Sequence, residues 1–488
     1  MNITDETLKL IQAEVAKAWT QNGTATSGLT FYDLELGAKI LYPVLTPLRN
    51  RIPRVSGKGG IQANWRAITG INTTGISAGV SQGNRGGVIA TTTADFIASY
   101  KGLGHEDYVN FEAQYAGQGF DDIRARATQG LLRALMISEE KVILGSNTSV
   151  ALGTTPTPSV AAVVGGGSLS NAAYNVYCMA LTADGFANSS VAAGVPLAIS
   201  RTNADGSTDS FGGGCAQISA AASVTPAANG TIQASVAPVR GAVAYAWFWG
   251  TGGGANEKLG AITTINSVLI TATATGTQLA GATGTGSDNS RNALVFDGLL
   301  YQVFNSTSNA YYKALATGTV GTGTPLTADG AGGIVEIDVA LQYFWDNFRL
   351  SPTDIYVASQ EQSNINKKVL AGTSTSAQQF IFSRSQGELA GGTMVRSYLN
   401  KFAMDGAKEI PIRLHPNMPN GTIMFFTDVL PYALSNVSNV VQILTRQEYY
   451  QIDWPLVKRR WEYGDYVDEV LQNYAPFAFG AITNIANG

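Results

Sequence analysis

An α+β body interrupted by an all-β sandwich is the fold class that the sequence predicts, and three observations predict it. Helical and strand-like patterns alternate at both ends of the chain. From Thr154 to Ser290 the composition shifts to Ala, Gly, Thr, Ser and Val, with few charges and no helical period. Ahead of that block lie two alternating strand patterns joined by a glycine-rich stretch that holds nothing able to build a core.

Composition sets the outer limits. A chain of 488 residues is too long for one ordinary core, so two or three domains are expected. Apolar residues make up 45%, enough for burial, while charged residues make up only 14%. An ordinary soluble domain carries about 25% charge, so the polar surface here is built from Thr, Ser, Asn and Gly. Interface cores are depleted of charge, and a surface of this kind predicts extensive contact with other subunits. Fibres and surface-layer proteins share the trait.

Lysine and arginine number 31 against 35 acids, a net charge of −4, which argues against a protein that grips nucleic acid through a basic face. Two cysteines, Cys178 and Cys215, and two histidines, His105 and His415, are scattered without CxxC spacing, so no metal site and no disulfide scaffold are expected. Reduced, structural thiols are the expectation. The opening MNITDETLKL has neither the basic nor the apolar region of a secretion signal. No apolar run approaches the ~18 residues of a membrane span, and Ala242–Trp249 reads as a buried strand. Synthesis in the cytosol, with no membrane partner and no cofactor, follows as the expectation.

The elements follow in order. Thr4 to Trp19 reads as an amphipathic helix with Leu8, Ile11, Val15 and Trp19 on one stripe and Asp5 and Glu6 in the first turn. A helix this short does not stand alone, so the stripe is expected to dock on its own body or a neighbour. Ile61–Thr69 and Val88–Tyr100 form the arms of a long hairpin, with Trp65 on its alternating face and GINTTGISAGVSQGNRGG at its tip. Two strands alone are marginal in water, so the hairpin is expected to lie across another subunit. Asp107–Gly145 reads as mostly helical, strongest from Phe120, with Ile123, Ala127, Leu131 and Leu135 in line and a break near Gly117 and Gly119.

Within the β-rich block, Tyr174–Thr182, Thr231–Val236, Val243–Trp249 and Ile262–Thr271 are strand-like runs separated by turn signals, as in a β-sandwich. Tyr174, Tyr177, Tyr245, Trp247 and Trp249 are its candidate core aromatics. From Arg291 onward, Ile334–Trp345 and Gln360–Leu370 read as helices. Ile355–Ala358, Ile412–Leu414, Gly421–Thr427 and Val440–Thr445 read as strands.

Three motifs invite chemistry and are better read as structure. Gly75-Ile76-Ser77-Ala78-Gly79 matches G-x-S-x-G, but that elbow needs a helix after it, and VSQGNRGG does not start one. Gly57-Lys58-Gly59 lacks the remainder of a phosphate loop. Lys458-Arg459-Arg460 stands among Trp454, Trp461, Glu462, Asp465, Asp468 and Glu469, which points to ion pairs beside aromatics. No catalytic residue emerges.

The order of a short arm, a long glycine-tipped hairpin, a long helix, a mixed segment and a short final strand resembles the major capsid fold of tailed bacteriophages of the Hong Kong coliphage type. The resembling pieces are LLRALMISEEKVILG, NALVFDGL and RWEYGDYVDEVLQNYAPFAFGAITNI, and the likeness covers all but the inserted block. VAPVRGAVAYAWFWGTGGG and YNVYCMALTADGFANSS are similar to strands of immunoglobulin-like or fibronectin-type-III-like modules.

The resemblance implies an arm at 1–50, an extended loop at 51–104, and a peripheral domain with a spine helix at 105–153. It further implies an outward-facing insert at 154–290, and an axial domain with the rest of the peripheral domain at 291–488. It implies a shell subunit that forms hexamers and pentamers with itself around a double-stranded DNA genome. The head would be assembled in the bacterial cytoplasm, with scaffolding, portal and decoration proteins as partners. Scaffolding is expected from a separate protein or from a segment already removed. Leu8, Val15, Trp19 and Trp65 become the expected assembly contacts. Lys58 becomes the candidate for an intersubunit isopeptide crosslink, which would need a nearby carboxylate as proton acceptor. An encapsulin-like shell around protein cargo, or a hydrolase with an accessory sandwich, are the alternatives.

Overall fold

In a computed structural model the described residues are 41–117, 122–253, 256–282, 286–370, 394–404 and 406–488. The first of them form a short helix, α1 (Pro47–Arg51), and strand β1 (Arg54–Ser56). The hairpin follows as β2 (Gln62–Ile71) and β3 (Thr91–Ser99), antiparallel, with a bulge between Ile68 and Gly70. It is narrower than the sequence suggests, because Arg54–Ser56 below it and the chain after Ser99 belong to another sheet.

That sheet corrects one expectation. Helix does not begin at Asp107: β4 (Lys101–Asn110) continues to Asn110 before a short helix, α2 (Phe111–Ala116), and the spine helix, α3 (Ile123–Gly145). Pairing to a strand near the chain's other end claims those residues, a long-range ladder that local pattern does not reveal. Helix α2 stops at Gly117, and Asp122 caps α3 by accepting the Ala125 N–H at 3.1 Å. The buried face of α3 carries Leu131, Leu135, Ile143 and Leu144, and also Glu139 and Glu140.

The inserted block contains β5 (Ser159–Val163), β6 (Tyr174–Leu181), α4 (Ala183–Ala187), β7 (Ala198–Thr202), β8 (Thr208–Gly212), β9 (Ala222–Val224), β10 (Thr231–Ser235), β11 (Ala244–Gly250), β12 (Lys258–Thr263) and β13 (Ser267–Ile270). The run read as one strand, Ile262–Thr271, is therefore two, turning at Asn266. Strands β13-β10-β5 form one sheet and β12-β11-β6-β9 another. Side chains from both share one core: Ile232, Ala234, Val268 and Ile270 meet Tyr174, Val176, Cys178, Tyr245, Trp247 and Trp249. Alternation along β6 and β11 sends Met179, Leu181, Ala246 and Phe248 to the opposite face, where a second cluster covers them with Val195, Ile218 and Leu259. The tryptophans bury their polar ends against partners, Trp247 donating to Thr263 Oγ1 and Trp249 to the Ala272 carbonyl, both at 2.9 Å. Cys178 and Cys215 are buried free thiols, both pushed up by burial.

The body resumes with α5 (Leu299–Phe304), β14 (Tyr311–Ala314), α6 (Val335–Phe348), β15 (Asp354–Val357), α7 (Ser359–Leu370), β16 (Ser397–Ala403), β17 (Gly406–Leu414) and β18 (Ile423–Phe426). It ends with β19 (Val441–Asp453), β20 (Arg460–Asn473) and β21 (Gly480–Thr483). A six-stranded mixed sheet runs β14-β21-β18-β15-β17-β16. Its central strands β15 and β18 are buried on both faces, which explains their unbroken apolar runs. Helices α5 and α6 pack against it through Leu300, Phe304, Ile337, Leu341 and Phe344. The other sheet runs β1-β19-β20-β4, with α3 docked on it through Leu131 against Val109 and Tyr463.

Candidate assembly surface

Strand alternation gives the β2–β3 hairpin two unlike faces. Ala63, Trp65 and Ala67 stand opposite Ala98, Phe96 and Ala94 on the inner face. Trp65 stacks on Phe96 with centroids 5.8 Å apart and meets the edge of Tyr474 at 6.0 Å. Beneath them lies a cavity of about 410 Å³ floored by Asp297, Gln302, Asn305, Asn473 and Ser308. The Trp65 indole N–H is buried there without an acceptor among the described residues. Trp65, expected at a subunit contact, thus faces its own chain.

The outer face carries Asn64 beside Ile97, Arg66 beside Asp95 and Ile68 beside Thr93. Ile68 is 66% exposed and Ile97 62%, uncovered among the described residues. Arg66 and Asp95 form a two-bonded pair at 2.5 and 2.9 Å, whose hydrogen bond holds the Asp95 carboxyl below its usual range. Past Ile71 the ladder ends, and Val80, Val88 and Ile89 stand exposed in the tip. Further exposed apolar residues are Val457 in the β19–β20 turn, Met404 after β16 and Leu434 in the loop after β18.

The base of the hairpin is fixed by charge. Arg49, Arg51 and Arg54 on the segment leading into it meet carboxylates buried in the body. Arg49 Nε binds Glu139 at 2.8 Å, Arg54 bridges Glu139 and Glu469 (2.7 Å to the latter), and Arg51 binds Asp354 at 2.5 Å and Asp428 at 2.7 Å. The Tyr449 hydroxyl donates to Glu139 and accepts from Arg49 and Arg54. Burial raises Glu469 above its usual range, and the Arg54 charge opposes that rise.

Glu140 accepts the N–H groups of Leu48 and Arg49 at 2.9 and 2.7 Å and pairs with His415 Nε2 at 2.6 Å. His415 Nδ1 in turn accepts the Asn417 N–H at 3.1 Å, so Nε2 carries the proton toward Glu140. A buried network of this kind adds little over an apolar core when intact, yet breaking one member costs about 3–5 kcal/mol. It therefore specifies where the arm-to-hairpin segment sits. Its members were not singled out in the sequence. The available signal was Arg49, Arg51 and Arg54 close together, and two adjacent acids near the end of an apolar stripe.

The remaining sequence candidates fall as follows. Lys58 is exposed at the hairpin base and has no ion pair among the described residues. Leu8, Val15 and Trp19 lie outside the described residues. Ser77 is in the hairpin tip, whereas His415 is fully buried against Glu140, so the two do not form a nucleophile and base. In the basic run, Arg460 pairs with Glu462 and sits 4.2 Å over the Tyr108 ring, while Arg459 pairs with Glu112 at 3.0 Å. Next to it, Arg124 lies 4.6 Å over Trp461, which matches ion pairs beside aromatics. Among the described residues no helix is long and apolar enough to cross a membrane.

No protein-family model matches the sequence, and no curated protein matches it. Among solved structures, the chain is similar to the capsid of a native GTA particle at 8% identity and a TM-score of 0.39, covering 97% of this chain and 98% of that one. It is similar to the capsid of Myoviridae phage XM1 at 9% identity and a TM-score of 0.40, over 95% and 100% of the two chains. It is also similar to Gordonia phage Cozz at 7% identity and a TM-score of 0.41, over 96% and 98%. Superpositions this loose are a likeness of overall course, and the functional reading rests on the chain's own geometry.

Proposed function

We propose that this chain is a structural subunit of a closed shell, of the kind that tailed phages build around double-stranded DNA. One observation carries the reading: the β2–β3 hairpin presents Ile68 and Ile97 outward on a two-stranded ribbon, with no layer over them among the described residues. A ribbon of that kind is marginal alone, and the two isoleucines on its outer face gain stability when another copy lies over them. The charge network at its base supports this role, since it holds the hairpin at a set position for a neighbour.

Hexamers and pentamers of the chain would then close into a shell in the host cytoplasm and become part of the virion. Scaffolding, portal and decoration proteins would be its partners, and the genome would be confined without sequence-specific contact. The subunit would act as a building block of the shell and not as an enzyme. The inserted block, read as an immunoglobulin-like domain, would face outward. Negative-stain microscopy of the purified protein tests the proposal: closed particles tens of nanometres across support it. A monomer that persists at micromolar concentration under all assembly conditions overturns it. Particles filled with protein cargo instead of DNA would move the reading to an encapsulin.

A further inference from the structure

The inserted sandwich and the body meet through polar groups, most of them buried, that bond across the junction. The first lies on α5, a six-residue helix in the body core. The Tyr301 hydroxyl, fully buried, accepts the Ala183 N–H and donates to the Gly241 carbonyl, both at 3.0 Å. One phenol from the body thereby bridges two separate turns of the insert. Burial drives its pKa far up, so the hydroxyl remains a donor.

The second is Arg240 in the insert. Its guanidinium donates to the carbonyls of Phe304 at 2.6 Å, and of Val303 and Asn305 at 3.3 Å, and lies 4.8 Å over the Tyr312 ring. These carbonyls lie at the C-terminal end of α5; those of Val303 and Asn305 also accept from Ser308, whereas Arg240 is the donor to that of Phe304. A helix of this length has no stability of its own, so its last turn is completed by the insert.

The third involves Asn266, at the turn between β12 and β13. Its N–H donates to Asn484 Oδ1 at 2.7 Å, and Asn484 Nδ2 donates back to Asn266 Oδ1 at 3.0 Å. Asn484 follows β21 with φ +61°, a left-handed backbone that asparagine tolerates. It also donates to the Leu315 carbonyl at 2.7 Å, and beside it Ser267 Oγ accepts the Gly321 N–H at 3.0 Å. The ends of the insertion are laced as well: Asn147 donates to the Ser290 carbonyl at 2.8 Å, Ser290 Oγ accepts the Leu152 N–H at 3.0 Å, and Asp288 accepts the Gly153 N–H at 2.9 Å. The apolar core crosses the junction too, with Ala183 and Val243 of the insert packed in the body's cluster.

We infer that the inserted sandwich is a brace for the body, holding α5 and the chain after β21 in place, and not only an outward ornament. A module that merely decorates a surface meets its host through groups that water can satisfy when it is absent. Here its loss would strand the Tyr301 hydroxyl, the Phe304 carbonyl and the Asn484 side-chain oxygen. The inference holds whether or not the chain builds a shell.

Hydrogen exchange on the full-length chain tests it. Arg240→Ala should speed exchange in 299–305 by removing the donor to the Phe304 carbonyl, and Asn266→Ala in 480–486 by removing the acceptor of Asn484 Nδ2, each by about tenfold. Exchange in 244–250, the sandwich core, should stay as in the parent. Tyr301→Phe keeps the ring and removes only the hydroxyl, so it reports on the first anchor if either other variant misfolds, and it should speed exchange at Ala183 and across 299–305. Acceleration confined to the insert, or none at all, would overturn the brace.

Discussion

Truncating Arg54 to alanine should cost the unassembled subunit about 3–5 kcal/mol, the range for leaving a buried charge without its partner. Arg54 reaches Glu139 and Glu469, both fully buried, and donates to the Tyr449 hydroxyl at 3.1 Å. Glu139 keeps Arg49 and Tyr449 after the truncation, but Glu469 loses the cation at 2.7 Å and retains only the more distant charge of Arg49. The pH dependence carries a definite sign. Burial already raises Glu469 above its ordinary 4.5, so the folded state holds that proton more tightly than the unfolded state does. Stability tied to this group is full below the ordinary value and is lost as pH rises through the folded one. Removing Arg54 deletes the charge that limits the rise, so the variant's deficit should be largest at about pH 7 and shrink toward about pH 5. Urea unfolding of parent and variant at both pH values, followed by circular dichroism under non-assembling conditions, measures it. A deficit below about 1 kcal/mol, or one that grows in acid, would refute the reasoning.

Three further outcomes can be checked directly. Gly214 has φ +94°, and a Cβ there would lie 2.4 Å from the Gly185 nitrogen and from Thr182 Oγ1; Gly214→Ala should therefore cost more than about 2 kcal/mol, read as a lowered melting temperature. Replacing Val15 and Trp19 with Asp should impair assembly more than subunit solubility, and normal particles from the double variant would show that the N-terminal stripe does not dock. If assembled protein runs as a covalent ladder on denaturing gels, Lys58→Ala should abolish it, and a ladder that survives would assign the link elsewhere.

Much of the fold was legible because its elements carry their own local signatures. The alternation of Ala63, Trp65 and Ala67, the stripe through Leu131 and Leu135, and the aromatic run Tyr245–Trp249 each declare a period, and the structure follows them. What was not legible depends on partners far along the chain. Asp107–Asn110 became strand because β20, some 350 residues on, supplies the ladder. Trp65 turned inward because Tyr474 lies beneath it, a contact no local pattern encodes. Glu139 and Glu140 are interior because Arg49 and Arg54 pair with the first, while His415 and the Leu48 and Arg49 N–H groups hold the second, partners that the helical stripe itself does not reveal. The insert's strands were visible in the sequence, but the bonds of Asn147, Ser290 and Asp288 that close its two ends together join residues far apart in the chain. Removing 154–290 is accordingly expected to weaken the body as well as strip a surface feature.

The central claim is that a second copy covers the outer face of the hairpin, and thiol labelling tests it most directly. Both native cysteines are buried, so a cysteine placed at position 97 or 68 is read almost without background. Ile97→Cys and Ile68→Cys should label rapidly in the dispersed subunit, as the exposure of both positions requires. In assembled particles the account predicts labelling slowed by about tenfold or more at both positions, since apolar surface buried against a neighbour is closed to the reagent. Equal rates in dispersed and assembled protein would contradict it, and would leave the hairpin free of the lattice.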